Sequence, residues 1–170
     1  MKNRILSFFL VLAFSSLSAC NNAPSETVPG IEVTEAEIQE QGLATAYFAS
    51  GCFWCVEAIF QSVKGVKDAV SGYSGGSEEG PSYQQVSRGE TSHAEAVKVI
   101  YDPKEVDFKT LVVVFFGSHD PTTPNRQGPD RGPQYRSIAF YETPAEKKII
   151  EDYMIKLEKD QVFSAPIVTE

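Results

Sequence analysis

Ala44-Thr45-Ala46-Tyr47-Phe48-Ala49 runs through Gly51-Cys52-Phe53-Trp54-Cys55 into Val56, and this stretch decides both the fold and the chemistry. The first six residues form an apolar, strand-like run. After Cys55, the residues Val56, Ile59, Phe60 and Val63 recur at helical spacing, with Glu57, Gln61 and Lys64 between them. Gly51 marks the turn, so Cys52 falls at or just before the first turn of a helix. Unpaired N–H groups and the positive dipole end favour a thiolate there, and a thiolate is the nucleophilic form of cysteine. A buried free cysteine is also a common inert core residue. A Cys-x-x-Cys pair at a strand-to-helix junction reads instead as a redox motif. Zinc is a third reading, with Cys52 and Cys55 joined by the chain's two histidines, His93 and His119. Those histidines lie far apart in sequence, unlike zinc-finger ligands, so no metal site is assigned.

Outward from this stretch, 170 residues with 42% hydrophobic and 22% charged content suit one globular domain with a proper core. The formal net charge of −8 argues against nucleic acid as a partner and against anionic membrane as a general one. No internal repeat is present. Residues 1–19 read as a secretory signal peptide: Lys2 and Arg4 are basic, Ile5 to Phe14 is apolar, and Leu17-Ser18-Ala19-Cys20 ends in a small-residue cleavage site. That ending resembles a bacterial lipobox, in which the cysteine is lipidated. Cys20 would then anchor the protein to a membrane in the cell envelope, outside the cytoplasm. Residues 20–43 are expected to be the lipidated cysteine and its tether, rich in polar residues and carrying Pro24 and Pro29. Within them Thr34 to Gln41 is a weak acidic helical pattern with Thr34 as its N-cap.

Beyond residue 43 the spacing predicts a strand over 44–49, a helix over about 53–64 closed by Gly65, and a strand over 66–73. A long loop follows over 74–92, with one short helical turn near Tyr83. A strand over 94–101, a helix over 108–116 capped by Asp107, a second Pro/Gly-rich loop over 119–135, a strand over 137–141 and a helix from Pro144 to about Asp160 complete the chain. The order β-α-β-β-α-β-α matches an α+β fold, a ferredoxin-like split βαβ sheet with helices packed on it. Loops this long inside a compact domain are functional or disordered. Both are expected to lie over the Cys52 end and build a pocket.

Several linked segments carry a resemblance. Gly51-Cys52-Phe53-Trp54-Cys55-Val56-Glu57, Gly72-Tyr73-Ser74-Gly75-Gly76, Pro81-Ser82-Tyr83, His93-Ala94-Glu95-Ala96-Val97, Tyr101-Asp102-Pro103 and His119-Asp120-Pro121 stand in one order and spacing. Arg126-Gln127-Gly128-Pro129-Asp130 and Gln134-Tyr135-Arg136-Ser137 continue it. The whole set resembles the A-type peptide methionine sulfoxide reductases over residues 44–170, which would be the catalytic domain.

The resemblance implies reduction of the S epimer of methionine sulfoxide, in proteins and as the free amino acid. It makes Cys52 the nucleophile that attacks the sulfoxide sulfur and emerges as a sulfenic acid. Phe53 and Trp54 would hold the substrate methyl group, as aromatic rings suit sulfur and methyl groups. Glu95 would be the acid, kept protonated in an apolar pocket; the residues alone make it a solvent-facing strand position. Tyr83 and Tyr135 would hold the sulfoxide oxygen, Asp130 would organise the site, and Gly51, His93 and Gln134 would contribute to substrate binding. Many family members carry glycine at the Cys55 position and place resolving cysteines near the C-terminus. No cysteine follows Cys55 here, so Cys55 is expected to resolve the sulfenic acid as a Cys52–Cys55 disulfide. A thioredoxin-like electron donor would reduce it. No bound cofactor is expected, the partners are sulfoxide-containing proteins and that donor, and the protein is expected to be a monomer.

The sequence stops at Ala165-Pro166-Ile167-Val168-Thr169-Glu170, where relatives continue into an acidic, aromatic, histidine-containing segment covering the site. Either the chain is a fragment or the variant is short. A thioredoxin-like dithiol oxidoreductase accounts for Cys52 and Cys55 but leaves Glu95, the tyrosines and both loops without a task. A non-enzymatic lipoprotein with a chance cysteine pair would tolerate the loss of Cys52.

Overall fold

Four strands form one sheet in the order β2-β3-β1-β6, where β1 is Ala44–Ser50, β2 Val66–Ser74, β3 Ala94–Tyr101 and β6 Ser137–Ala139. Every neighbouring pair is antiparallel. The helix α2 (Phe53–Gln61) joins β1 to β2 while β3 lies between them, which is the split βαβ unit expected from the sequence. The structure, a computed structural model, describes residues 33–170. The expected signal peptide, the expected lipidation at Cys20 and the expected tether up to residue 32 lie outside the described residues. Among the described residues no helix is long and apolar enough to cross a membrane.

Strand alternation sorts the sheet into two faces. Ala46 and Phe48 of β1, Ala69 of β2 and Val97, Val99 and Tyr101 of β3 share one face with the helices. Against them pack Phe53, Val56 and Phe60 of α2, and Leu111, Val112 and Phe115 of α4 (Phe108–Gly117). Ile150 and Leu157 of α5 (Pro144–Lys159) join the same cluster. Phe48 is fully buried and stacks on Phe60 at 5.0 Å and on Phe115 at 5.1 Å between ring centroids. Removing such a ring costs about 3–5 kcal/mol. The opposite face holds the smaller cluster Ala49, Ala94, Ala96 and Ile138, with Phe140 against it.

Packing begins before residue 44. In α1 (Glu35–Glu40) Thr34 and Glu37 close a capping box, Ile38 is 5% exposed, and Glu35 pairs with Lys98 of β3. Glu35–Glu40, expected to fall within the tether, is therefore a helix docked on the domain. α2 stops at Gln61, three residues short of expectation. The Ser62 hydroxyl donates to the Ile59 carbonyl at 2.6 Å, Val63 N–H donates to Phe60 C=O at 3.0 Å, and Gly65 turns left-handed.

The two long loops contain more structure than their composition suggests. The first carries α3 (Tyr83–Ser87), started by a capping box between Ser82 and Gln85. The second folds into a hairpin of β4 (Arg126–Gln127) and β5 (Asp130–Arg131), then a 3-10 turn over Pro133–Tyr135. The residues after α5 return to the sheet: Glu170 N–H donates to Ser137 C=O at 3.0 Å and Ala139 N–H donates to Glu170 C=O at 2.9 Å.

Candidate active site

Gly51 makes the connection between β1 and α2 possible. Its φ is +95°, and a Cβ there would lie 2.7 Å from Cβ of Gln127, so the β4–β5 hairpin presses directly onto this turn. Cys52 follows as the N-cap of α2. Its carbonyl accepts from Cys55 N–H at 3.0 Å and Val56 N–H at 3.2 Å, while its side chain makes no capping bond. The sulfur is thus not spent on the helix end. Cys52 is half-buried, Cys55 is exposed, and both are free thiols. An electrostatic interaction with Cys52, then a hydrogen bond between the two side chains, hold the Cys55 thiol above its ordinary pKa.

Behind this turn stands Glu95, 3% exposed, whose Oε2 accepts from Phe53 N–H at 3.0 Å. It sits opposite Tyr73 in the β2–β3 register and shares the parity of Val97, Val99 and Tyr101, so it points into the helix-covered face. Burial pushes its carboxyl above the usual range; the Phe53 N–H opposes that, and the charge of Asp130 adds to it.

Phe53 is 5% exposed and lies at the centre of an aromatic group: Trp54 at 5.2 Å, Tyr73 at 5.7 Å and Tyr83 at 6.4 Å between centroids. Trp54 and Tyr83 also stack on each other at 6.0 Å and are 60% and 49% exposed. Burial raises the Tyr135 hydroxyl, with Glu95, Asp130 and Tyr83 adding to it. Burial raises Tyr73 as well, followed by Glu95 and Tyr83. Cys55 feels Cys52 and Asp130, Glu95 feels Asp130, and Tyr73 and Tyr135 feel Glu95 and Tyr83, so these groups form one electrostatically linked set. A half-buried sulfur, a carboxyl driven towards its protonated form and an apolar shelf are the parts needed to attack a polarised S–O bond and protonate its oxygen.

His93 and Gln134 brace the loops, and the Gln134 side chain also acts on the Tyr135 hydroxyl, opposing its rise. His93 Nε2 bonds to Glu78 C=O at 2.8 Å, and the ring fills the space beside Gly76. Gln134 Nε2 donates to Ser87 C=O at 3.0 Å and ties α3 to the 3-10 turn. Their hydrogen bonds support the loops that carry Tyr83 and Tyr135. His119 Nδ1 bonds to Phe115 C=O at 2.8 Å and its Nε2 to the Ser137 hydroxyl at 2.7 Å, so both of its ring nitrogens are engaged. Among the described residues no three His, Cys, Asp or Glu side chains converge to hold a metal ion. Tyr73 and Gln127 were missed as site residues; pairing of Tyr73 with Glu95 across two strands was the available signal.

Comparison with known proteins bears on this geometry. Residues 44–170 match the family model described as peptide methionine sulfoxide reductase. The peptide methionine sulfoxide reductase MsrA of Methanosarcina acetivorans is 54% identical over 130 residues, covering 76% of this chain and 69% of that protein. Among solved structures, the methionine sulfoxide reductase A of Corynebacterium diphtheriae superposes with a TM-score of 0.67 at 38% identity, covering 76% of this chain and 63% of that one. Mxr1 from Saccharomyces cerevisiae in its reduced form superposes with a TM-score of 0.67 at 34% identity, covering 75% of this chain and 74% of that one.

Proposed function

The chain belongs to the peptide methionine sulfoxide reductase family, and from that premise we propose that it reduces the S epimer of methionine sulfoxide through Cys52, with Glu95 as the proton donor. The observation that carries this reading is Glu95 itself: a 3%-exposed carboxyl, raised by burial, behind the residue next to the nucleophile.

The Cys52 thiolate attacks the sulfoxide sulfur while Glu95 gives its proton to the oxygen. Tyr83 and Tyr135 hold that oxygen with their hydroxyls, and burial raises the Tyr135 hydroxyl further, keeping it a donor. Phe53 and Trp54 take the methyl group, and Asp130 fixes the substrate side of the site. In the adduct the Cys52–substrate S–S bond has formed and the oxygen is a hydroxyl. That hydroxyl passes to the Cys52 sulfur as the substrate S–O bond and the new S–S bond break, the electron pair returning to the substrate sulfur. Methionine leaves, and Cys52 is left as a sulfenic acid. The Cys55 thiol then attacks the Cys52 sulfur, forming the Cys52–Cys55 bond and releasing the oxygen as water. An external dithiol of thioredoxin type returns both cysteines to thiols by exchange. Cys55 suits the second step because it is exposed and one helical turn along from Cys52.

The deciding experiment gives separate S and R epimers to the protein beginning after Cys20, with dithiothreitol as reductant. Methionine from the S epimer alone is expected; none from either, with folded protein, overturns the reading. Without reductant, parent and Cys55→Ser should each release one methionine per enzyme. Only the parent should continue when thioredoxin is added; sustained turnover by Cys55→Ser removes Cys55 from the cycle.

The enzyme is held at the outside of a membrane by acyl chains on Cys20, a reading supported by Leu17-Ser18-Ala19-Cys20 after the apolar Ile5–Phe14 run. Intact mass of the protein purified from its native host tests this; an unacylated N-terminus refutes the anchor.

A further inference from the structure

Arg136 makes no bond to a reacting group, yet its guanidinium joins the segments that carry those groups. Nη2 donates to the carbonyls of Gly75 at 3.2 Å and Ser92 at 3.1 Å, the two stems of the loop that bears Tyr83. Ser92 also lies three residues ahead of Glu95. Nη1 donates to Pro133 C=O at 2.9 Å, the first residue of the turn that ends in Tyr135. Nε donates to the Glu170 carboxylate at 3.3 Å. The Arg136 side chain is itself 12% exposed, lying beneath partners that are at the surface. The contact with Gly75 is close: φ there is +77°, and a Cβ would lie 3.1 Å from Nη2.

A single planar fork thus spans three backbone segments that diverge towards the site. Lysine cannot reproduce this, because its ammonium is a point charge on a flexible stem, without the rigid fork of donors. Carbonyl groups drawn to one cation fix the backbone of both loops relative to the start of β3.

We propose that Arg136 is a positioning residue for oxygen transfer: it sets the mutual placement of Tyr83, Tyr135 and Glu95, and the rate of sulfoxide reduction depends on it through those groups. This rests on the roles assigned to them above. Displacing catalytic groups by about 1 Å costs up to about 10²-fold in rate.

The test is a double-mutant cycle between Arg136→Lys and Tyr135→Phe, read in single turnovers of a methionine sulfoxide peptide without reductant. The amplitude, in methionine per enzyme, counts competent molecules, and the rate constant reports the chemistry. Arg136→Lys should slow the rate constant by about 10- to 10²-fold with near-parental amplitude. It should cost clearly less in the Tyr135→Phe background, since residues acting as one unit are not additive. Gly75→Ala, which retains the guanidinium but crowds it, should slow the same step and serves if Arg136→Lys does not fold. Glu170→Gln leaves the three carbonyl bonds in place and should slow it least. Loss of amplitude with an unchanged rate constant would make Arg136 a folding residue only, and strict additivity would uncouple it from Tyr135; either overturns the proposal. A parent protein that releases no methionine overturns the reductase reading instead, and the proposal with it.

Discussion

At the floor of the site Glu95 accepts one backbone N–H, from Phe53, at 3.0 Å, and is 3% exposed. In the loop between β2 and β3, Glu78 likewise closes a backbone connection, accepting Ser92 N–H at 3.0 Å and the Ser92 hydroxyl at 2.7 Å, but it does so in solvent. The two carboxyls diverge. Burial raises Glu95, while hydrogen bonds from the Ser92 hydroxyl and backbone hold Glu78 down at about 2. Desolvation outweighs the single hydrogen bond at Glu95, whereas at Glu78 the fuller set of hydrogen bonds wins in solvent. That balance decides which glutamate can keep a proton for chemistry and which is simply an anionic clasp.

The sharpest way to break this contrast is to neutralise each glutamate. Glu95→Gln should lower the single-turnover rate by about 10²- to 10⁴-fold, the range for a positioned general acid, with the fold intact by circular dichroism. Glu78→Gln should leave the rate near the parent's. Equal effects would mean that burial does not separate the two roles. The parent's rate should also fall as pH rises through the raised pKa of Glu95, and Glu95→Gln should lack that limb; a limb that persists in the variant belongs to another group.

Glycines extend the comparison to the backbone. Gly51 in the floor and Gly80 in the loop both have positive φ, +95° and +57°. A Cβ at Gly80 meets nothing within 4 Å, whereas at Gly51 it meets Gln127 at 2.7 Å. Gly51→Ala should therefore cost more than the roughly 1–3 kcal/mol of left-handed strain, and Gly80→Ala about 1 kcal/mol, both read by urea denaturation. Similar costs would show that the floor can relax as the loop does.

The smallest effects concern stability against pH, and their signs are opposite. Glu78 is depressed from 4.5, so its contribution is present above that value and lost as pH falls towards 2. Glu95 is raised from 4.5, so its contribution is present below that value and lost as pH rises through its higher pKa. In melting curves, Glu78→Gln should flatten the acid side and Glu95→Gln the side above it. Matching slopes would remove the distinction.

Much of the floor was legible in the sequence. The helical spacing of Val56, Ile59, Phe60 and Val63 after an apolar strand placed Cys52 at a helix start, and a β-α-β-β-α-β-α order implied the split sheet. Residue type misled at Glu95, because a charge on a strand reads as solvent-facing. The alternation Glu95, Val97, Val99, Tyr101 already put it on the apolar side, and register with β1 and β2 made that side the covered one. The walls were less legible. β4 and β5 have two residues each, too few to show a period. The bonds of His93 to Glu78 and of Gln134 to Ser87 depend on how distant backbone happens to meet. No local pattern encodes that.

The parity of β3 has one more consequence. The strand carries its chemistry in a reading frame of two: Val97, Val99 and Tyr101 seat the frame in the core, and Glu95 is read from the same phase. Substitutions along the strand can adjust the acid's surroundings while the frame holds. One residue inserted between Glu95 and Val97 would leave the core in place and turn the carboxyl to the opposite face, ending proton delivery without altering any residue of the site.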